Sequence, residues 1–123
     1  GSGKPMREFL WSEEMADASV HVLLNVDFKD TYKTENKNAD GLTEIRNCHI
    51  NVGTGIETTI RDCAETIAKA IGFNGEIRWD STKPDGTPRK LTDPSKLHAL
   101  GWRHKVELPD GIARLYRWYV ENM

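Results

Sequence analysis

Cysteine is scarce in this chain, with Cys48 and Cys63 the two examples among 123 residues. Neither their number nor their spacing makes a disulfide scaffold or a zinc site, so both are expected to be reduced, with Cys63 in the core. Long apolar runs are missing too. None approaches the roughly 20 residues that a membrane helix needs, and no charged start leads into an apolar stretch as in a signal peptide. The expected location is the cytoplasm, with no membrane partner. No sign of charge dominates, because 17 basic residues face 19 acidic ones. A net charge of −2 argues against a nucleic-acid partner, since phosphate backbones are bound by a clustered basic excess. Any anion site must therefore be local. His21, His49, His98 and His104 are scattered without metal-ligand spacing, and although Cys48 adjoins His49, neighbours on a strand point to opposite faces and so make no nucleophile and base pair.

A composition of 37% hydrophobic and 29% charged residues fits one ordinary domain with one core. Met6 to Leu10 reads as a short strand. Ser12 follows as a helix N-cap, with Glu13 and Glu14 in the first turn of a helix reaching about Leu24. The apolar stripe of that helix (Met15, Ala18, Val22, with Val20 and Leu23) is wide enough to pack on something sizeable. From Lys29 to Asn47 the composition turns polar, which predicts a mobile surface loop without chemistry. His49 to Val52 reads as a strand ending in Gly53-Thr54-Gly55. Thr59 and Asp62 then make a capping-box-like start for a helix whose stripe runs from Ile60 through Cys63, Ala64, Ile67 and Ala68 to Ile71, with Gly72 as the stop. Glu76 to Trp79 alternates like a half-buried strand. Asp93 caps a short helix that has Pro94 at its first position and ends at Gly101, and a last helix runs from about Pro109 to Glu121. The expected class is α/β or α+β. Trp11, Trp79, Trp102 and Trp118 are expected in the core, where aromatic residues beside helix ends usually lie.

Gly53-Thr54-Gly55-Ile56-Glu57-Thr58 imitates a dinucleotide fingerprint, but Thr58 stands where a third glycine would allow close packing beside a pyrophosphate. A tight turn explains it. Lys83-Pro84-Asp85-Gly86-Thr87-Pro88-Arg89-Lys90 is a better site candidate, because its prolines and glycine should hold one shape and present charges at set positions. Arg7, on a short strand after Pro5, has the fork geometry for a phosphate, and Lys90 or Arg89 is the candidate for a second cation. Asp85 is unsuited to phosphate, but its carboxylate can accept hydrogen bonds from the hydroxyls of a ribose or hexose. The plain alternative is a set of salt bridges within the loop, worth about 0 to 1 kcal/mol each.

Pro5-Met6-Arg7-Glu8-Phe9, His49 to Gly55, Lys83 to Lys90 and Leu97-His98-Ala99-Leu100-Gly101-Trp102, in that order, resemble the C-terminal part of the GDP-L-fucose synthase family of extended short-chain dehydrogenase/reductases. The resemblance runs from Gly3 to Asn122. It implies that residues 1–123 form the C-terminal substrate-binding region of such an enzyme, without most of the Rossmann domain, and that 12–28 and 49–55 pack on that missing domain. It further implies a parent that converts GDP-4-keto-6-deoxy-D-mannose to GDP-L-fucose by epimerisation at C3 and C5 and reduction at C4 by NADPH. Arg7, Asp85 and Lys90 would contact the GDP-sugar. The cofactor NADP would bind the missing domain, with none expected in this stretch, and the parent would form a homodimer through that domain. Gly1-Ser2-Gly3 is then expected to be the native start of a fragment rather than an expression scar. No Tyr-x-x-x-Lys pair is present, because Tyr32, Tyr116 and Tyr119 are followed four residues later by Asn36, Val120 and Met123. No catalytic residue is expected here, and the fragment alone is expected to be inactive. The competing readings are a non-enzymatic module that binds a nucleotide or acidic ligand through the same loop, and an interaction domain with no small ligand.

Overall fold

The computed structural model describes residues 1–33 and 35–123. At its centre is β1 (Met6–Glu8), flanked by β4 (Glu57–Thr59) and β5 (Arg89–Lys90). β4 runs antiparallel to β1, pairing Met6 with Thr59 and Glu8 with Glu57, while β5 runs parallel, pairing Arg7 with Lys90. The pleat sends neighbours along a strand to opposite faces and paired residues to the same one. Arg7, Thr58 and Lys90 thus share one face, and Met6, Glu8, Glu57 and Arg89 the other. A second sheet is the hairpin of β2 (Glu35–Lys37) and β3 (Thr43–Ile45).

Among the described residues four α-helices complete the fold: α1 (Ser12–Asn25), α2 (Ile60–Ile71), α3 (Ser95–Ala99) and α4 (Leu108–Asn122). The reading of α2 holds in detail. The hydroxyl of Thr59 accepts from the Asp62 N–H at 3.0 Å and donates to the Asp62 carboxylate at 2.7 Å, while Gly72 closes the helix with φ of 67°. Its apolar stripe packs on α4, with Cys63 buried. Elsewhere Ala18, Leu97 and Trp102 form a small core, against which Leu10, Val22, Ile50 and Val52 pack. Trp102 is tied there by donating to Asp17 at 2.8 Å.

Several expectations give way. Trp11 is the N-cap of α1 in place of Ser12, its carbonyl receiving the N–H groups of Glu14 and Met15. Asp93 does accept from the Ser95 N–H at 2.9 Å, although Pro94 holds the N-cap position of α3. The stretch expected as a polar loop from Lys29 to Asn47 overlaps a 3-10 turn, Phe28–Thr31, and contains the β2–β3 hairpin. The Asn38 side chain accepts from the N–H groups of Asp40 and Leu42 and shapes the turn, so side-chain hydrogen bonding supplies the order that apolar burial does not. Thr34, within that stretch, lies outside the described residues.

Neither His49–Val52 nor Glu76–Trp79 is a strand. Burial does alternate along His49–Val52, with Ile50 and Val52 turned inward, but no described strand pairs with it. Its His49 carbonyl instead accepts from Lys96 Nζ at 2.8 Å, and the same ammonium donates to the carbonyls of Thr31 and Asn47. Trp118 is 57% exposed rather than in the core, and Trp11 and Trp79 are half-buried.

The chain buries little. Its accessible surface of 9199 Å² compares with about 6,700 Å² for a typical folded monomer of 14.0 kDa. Much of the excess is apolar, including Leu23 at 81% and Leu24 at 73% exposed on α1, and Val120 at 61% on α4.

Candidate functional site

Glu8 decides what the Gly53-Thr54-Gly55 turn does. One oxygen of its carboxylate accepts from the N–H of Thr54 at 2.6 Å, the N–H of Gly55 at 2.7 Å and the Thr54 hydroxyl at 3.1 Å, and the other accepts from the Thr92 N–H at 2.9 Å. Burial by itself would raise the pKa of this carboxyl, but the hydrogen bonds from Gly55, Thr92 and Thr54 outweigh it and hold Glu8 below its ordinary value of 4.5. The amides that a dinucleotide phosphate would need are filled by the protein's own carboxylate. A cofactor pyrophosphate does not fit here.

Arg7 and Asp85 come together on the other side of β1. They line one open pocket of about 380 Å³, whose wall also includes Pro5, Trp79, Pro84 and Gly86. Arg7 Nη1 donates to the carbonyls of Met6 at 2.6 Å and Thr87 at 2.8 Å, which holds the half-buried guanidinium over the loop. Its Nη2 passes so close to Gly86 that a Cβ there would stand 3.3 Å from it. Among the described residues no carboxylate pairs with Arg7, so the cation keeps donors for an anion from outside.

The other charges around the loop are more engaged. Arg89, one of the two sequence candidates for a second phosphate cation, instead forms a fork with Glu57 on the opposite face, both contacts being 2.8 Å. The pleat separates it from Lys90, which lies beside Arg7 in the parallel register and is exposed, though outside the wall of the Arg7 pocket. Arg78, on the pocket wall, is held by Glu76 at 2.7 Å. Asp80, also on the wall, accepts from both the hydroxyl and the N–H of Thr82, which holds its carboxyl below the usual range.

Two features of the site escaped sequence reasoning. Trp79, expected in the core, is a pocket wall, with the Arg61 guanidinium 4.6 Å from its ring centre. Ser2, read as part of a terminal stretch, donates its N–H and hydroxyl to Asp85 at 2.7 and 2.6 Å. The small residues of Gly1-Ser2-Gly3 were the available signal, because small side chains mark close approaches of the backbone.

Comparison with known proteins gives this geometry a context. No family model matches the chain. It is 48% identical over 122 residues to GDP-L-fucose synthase of Escherichia coli K12, covering 99% of this chain and 35% of that protein. It is 46% identical over 123 residues to GDP-L-fucose synthase 1 of Arabidopsis thaliana, covering 100% of this chain and 32% of the other. Among solved structures, a GDP-6-OMe-4-keto-L-xylo-heptose reductase from C. jejuni superposes with a TM-score of 0.86 at 41% identity, over 100% of this chain and 33% of that one. A GDP-D-glycero-L-gluco-heptose synthase from Campylobacter jejuni, solved in the presence of NADPH, gives 0.81 at 40% identity, over 98% and 32%. The chain spans about a third of the length of these relatives.

Proposed function

Since the chain belongs to the family of the GDP-L-fucose synthases, the extended short-chain dehydrogenase/reductases, we propose that it is the GDP-sugar-binding portion of an NADP-dependent epimerase-reductase that converts GDP-4-keto-6-deoxy-D-mannose to GDP-L-fucose. The observation that carries this reading is the half-buried Arg7 guanidinium, without a carboxylate partner among the described residues, on the same pocket as the Asp85 carboxylate. A phosphate suits the first and a sugar hydroxyl the second. Lys90, beside Arg7 across β1 and β5, is the proposed second cation for the diphosphate.

In this reading the chemistry is completed by residues outside these 123. No Tyr-x-x-x-Lys pair exists here and Gly53-Thr54-Gly55 is closed to a cofactor phosphate, so the chain alone is proposed to be inactive, with NADP bound elsewhere in the whole enzyme. The exposed apolar side of α1 and the unpaired alternation of 49–52 support packing of 12–28 and 49–55 against the Rossmann domain, through which the parent is proposed to dimerise. The lack of a carboxylate partner for Arg7 among the described residues also favours a small anionic ligand over an interaction domain without one.

The test is a protein-observed NMR titration of the chain with GDP-L-fucose and, in parallel, NADPH. Saturable shifts at Arg7 and residues 83–90 with the sugar nucleotide, lost in Arg7→Ala and absent with NADPH, are expected. Equal binding by wild type and Arg7→Ala would sink the reading.

A further inference from the structure

Asp85 lies on an exposed loop, yet its carboxylate is gripped by a residue 83 positions away in sequence. Ser2 donates its N–H to Oδ1 at 2.7 Å and its hydroxyl to Oδ2 at 2.6 Å, one bond to each oxygen. Ser2 is itself fixed. Its hydroxyl accepts from the Lys4 N–H at 3.2 Å, its carbonyl accepts from Arg61 Nη2 at 3.2 Å, and the next carbonyl, that of Gly3, accepts from the Arg61 N–H at 2.9 Å. Arg61 in turn lies on the face of Trp79.

The glycines on either side leave room for this contact. A Cβ on Gly1 would stand 2.6 Å from Asp85 Oδ1, and one on Gly3 would stand 2.7 Å from the Trp79 ring, at a φ of 77° that other residues rarely adopt. The Gly-Ser-Gly segment is thus shaped to receive one carboxylate and one indole. A carboxylate has about four acceptor positions, so two bonds from Ser2 leave roughly one on each oxygen.

We infer that Ser2 is a positioning residue of the sugar-nucleotide site: it holds the Asp85 carboxylate in one orientation and leaves an acceptor position on each oxygen for a pair of ligand hydroxyls. The inference rests on the proposed role of Asp85 and deepens it. Orientation matters because a vicinal diol that meets both oxygens of a carboxylate must otherwise fix its plane on binding, and setting the plane beforehand spares that ordering cost. The same bonds act on the acidity of Asp85. The Ser2 hydroxyl is the largest influence and the Ser2 N–H the next, and with a lesser contribution from Lys4 they hold the carboxyl below its ordinary value against the opposing effect of burial.

Two readouts separate this role from plain structure. The first, without ligand, is the Asp85 carboxyl titration followed by carbon NMR in wild type, Ser2→Ala and Ser2→Thr. Its midpoint should rise in Ser2→Ala and return in Ser2→Thr, with Lys4 common to all three. The second is the affinity for GDP-L-fucose, which should fall roughly three- to tenfold in Ser2→Ala and recover in Ser2→Thr, the loss of one hydrogen bond. An unmoved midpoint in Ser2→Ala overturns the inference, as does an unchanged affinity in Ser2→Ala alongside a loss in Asp85→Ala. If wild type does not bind, or if Asp85→Ala binds as well as wild type, what fails is the assignment of Asp85 to the ligand, and the inference falls with it.

Discussion

Glu8 and Asp85 are two carboxylates that each collect hydrogen bonds from distant backbone, yet they end in different conditions. Glu8 accepts four, from two separate turns, and is half-buried. Asp85 accepts two, both from Ser2, and faces an open pocket. With about four acceptor positions on a carboxylate, Glu8 accepts that number, three of them crowded on one oxygen, whereas Asp85 is half-filled. The difference teaches that a saturated carboxylate holds the fold together, whereas a half-saturated one, oriented but not consumed, is available to a ligand. The cations divide in the same way, since Arg89 is taken up by Glu57 while Arg7 meets carbonyls and keeps donors free.

The widest separation between the two carboxylates is expected in stability. Glu8→Ala orphans the N–H groups of Thr54, Gly55 and Thr92, and should cost about 3 kcal/mol, read as a large fall in the urea midpoint. Asp85→Ala should leave that midpoint close to wild type. If both variants unfold alike, the contrast between filled and half-filled carboxylates fails.

Ligand affinity should reverse the order of importance. Asp85→Asn, measured by calorimetry with GDP-L-fucose, is expected to weaken binding by about tenfold, the effect of a charge-assisted bond. An affinity equal to wild type would mean that the free acceptor positions are unused.

Acid sharpens the contrast from another side. The folded pKa of Glu8 lies below its ordinary value of 4.5, so on acidification the unfolded chain takes up this proton first. The contribution of Glu8 is therefore fully present above the ordinary value and is lost as pH falls through the folded value. Glu8→Gln should lower stability at neutral pH and flatten its decline in that acidic window. An acid limb as steep as wild type would assign the decline to other carboxyls.

The smallest effect concerns neighbours in the chain. Lys90→Ala should weaken binding of the sugar nucleotide by a few-fold, as expected for one exposed cation near a phosphate, and addition of salt should shrink the difference. Arg89→Ala, on the other face of the sheet, should leave binding unchanged. A larger loss from Arg89→Ala would place the diphosphate on the wrong side of β1.

Much of α2 was legible beforehand because its information is local: a cap at Thr59 with Asp62, an apolar stripe at helical spacing, and Gly72 as the stop. Of the strands, β1 was legible within Met6 to Leu10, but its partners were not, for the opposite reason. Alternation along His49–Val52 and Glu76–Trp79 predicts strands, but a strand exists only with a partner, and β1 takes Glu57–Thr59 and Arg89–Lys90 instead. The hairpin within 29–47 was hidden because its order comes from Asn38 hydrogen bonds and not from apolar burial. Of the candidate site, Arg7 and Asp85 were singled out from the sequence and line one pocket, while Trp79 and Ser2 carried no signal strong enough to place them there.

By itself the sequence determined which charges were available, where α2 begins and ends, and that the 83–90 loop holds charges between fixed prolines, because each of these depends on residues a few positions apart. Only the tertiary structure decided which charges are spent. Arg89 meets Glu57 from 32 residues away, Glu8 meets Thr92 from 84, and Asp85 meets Ser2 from 83. Whether a charged group is a strut or a ligand contact turns on partners that the chain brings together by folding.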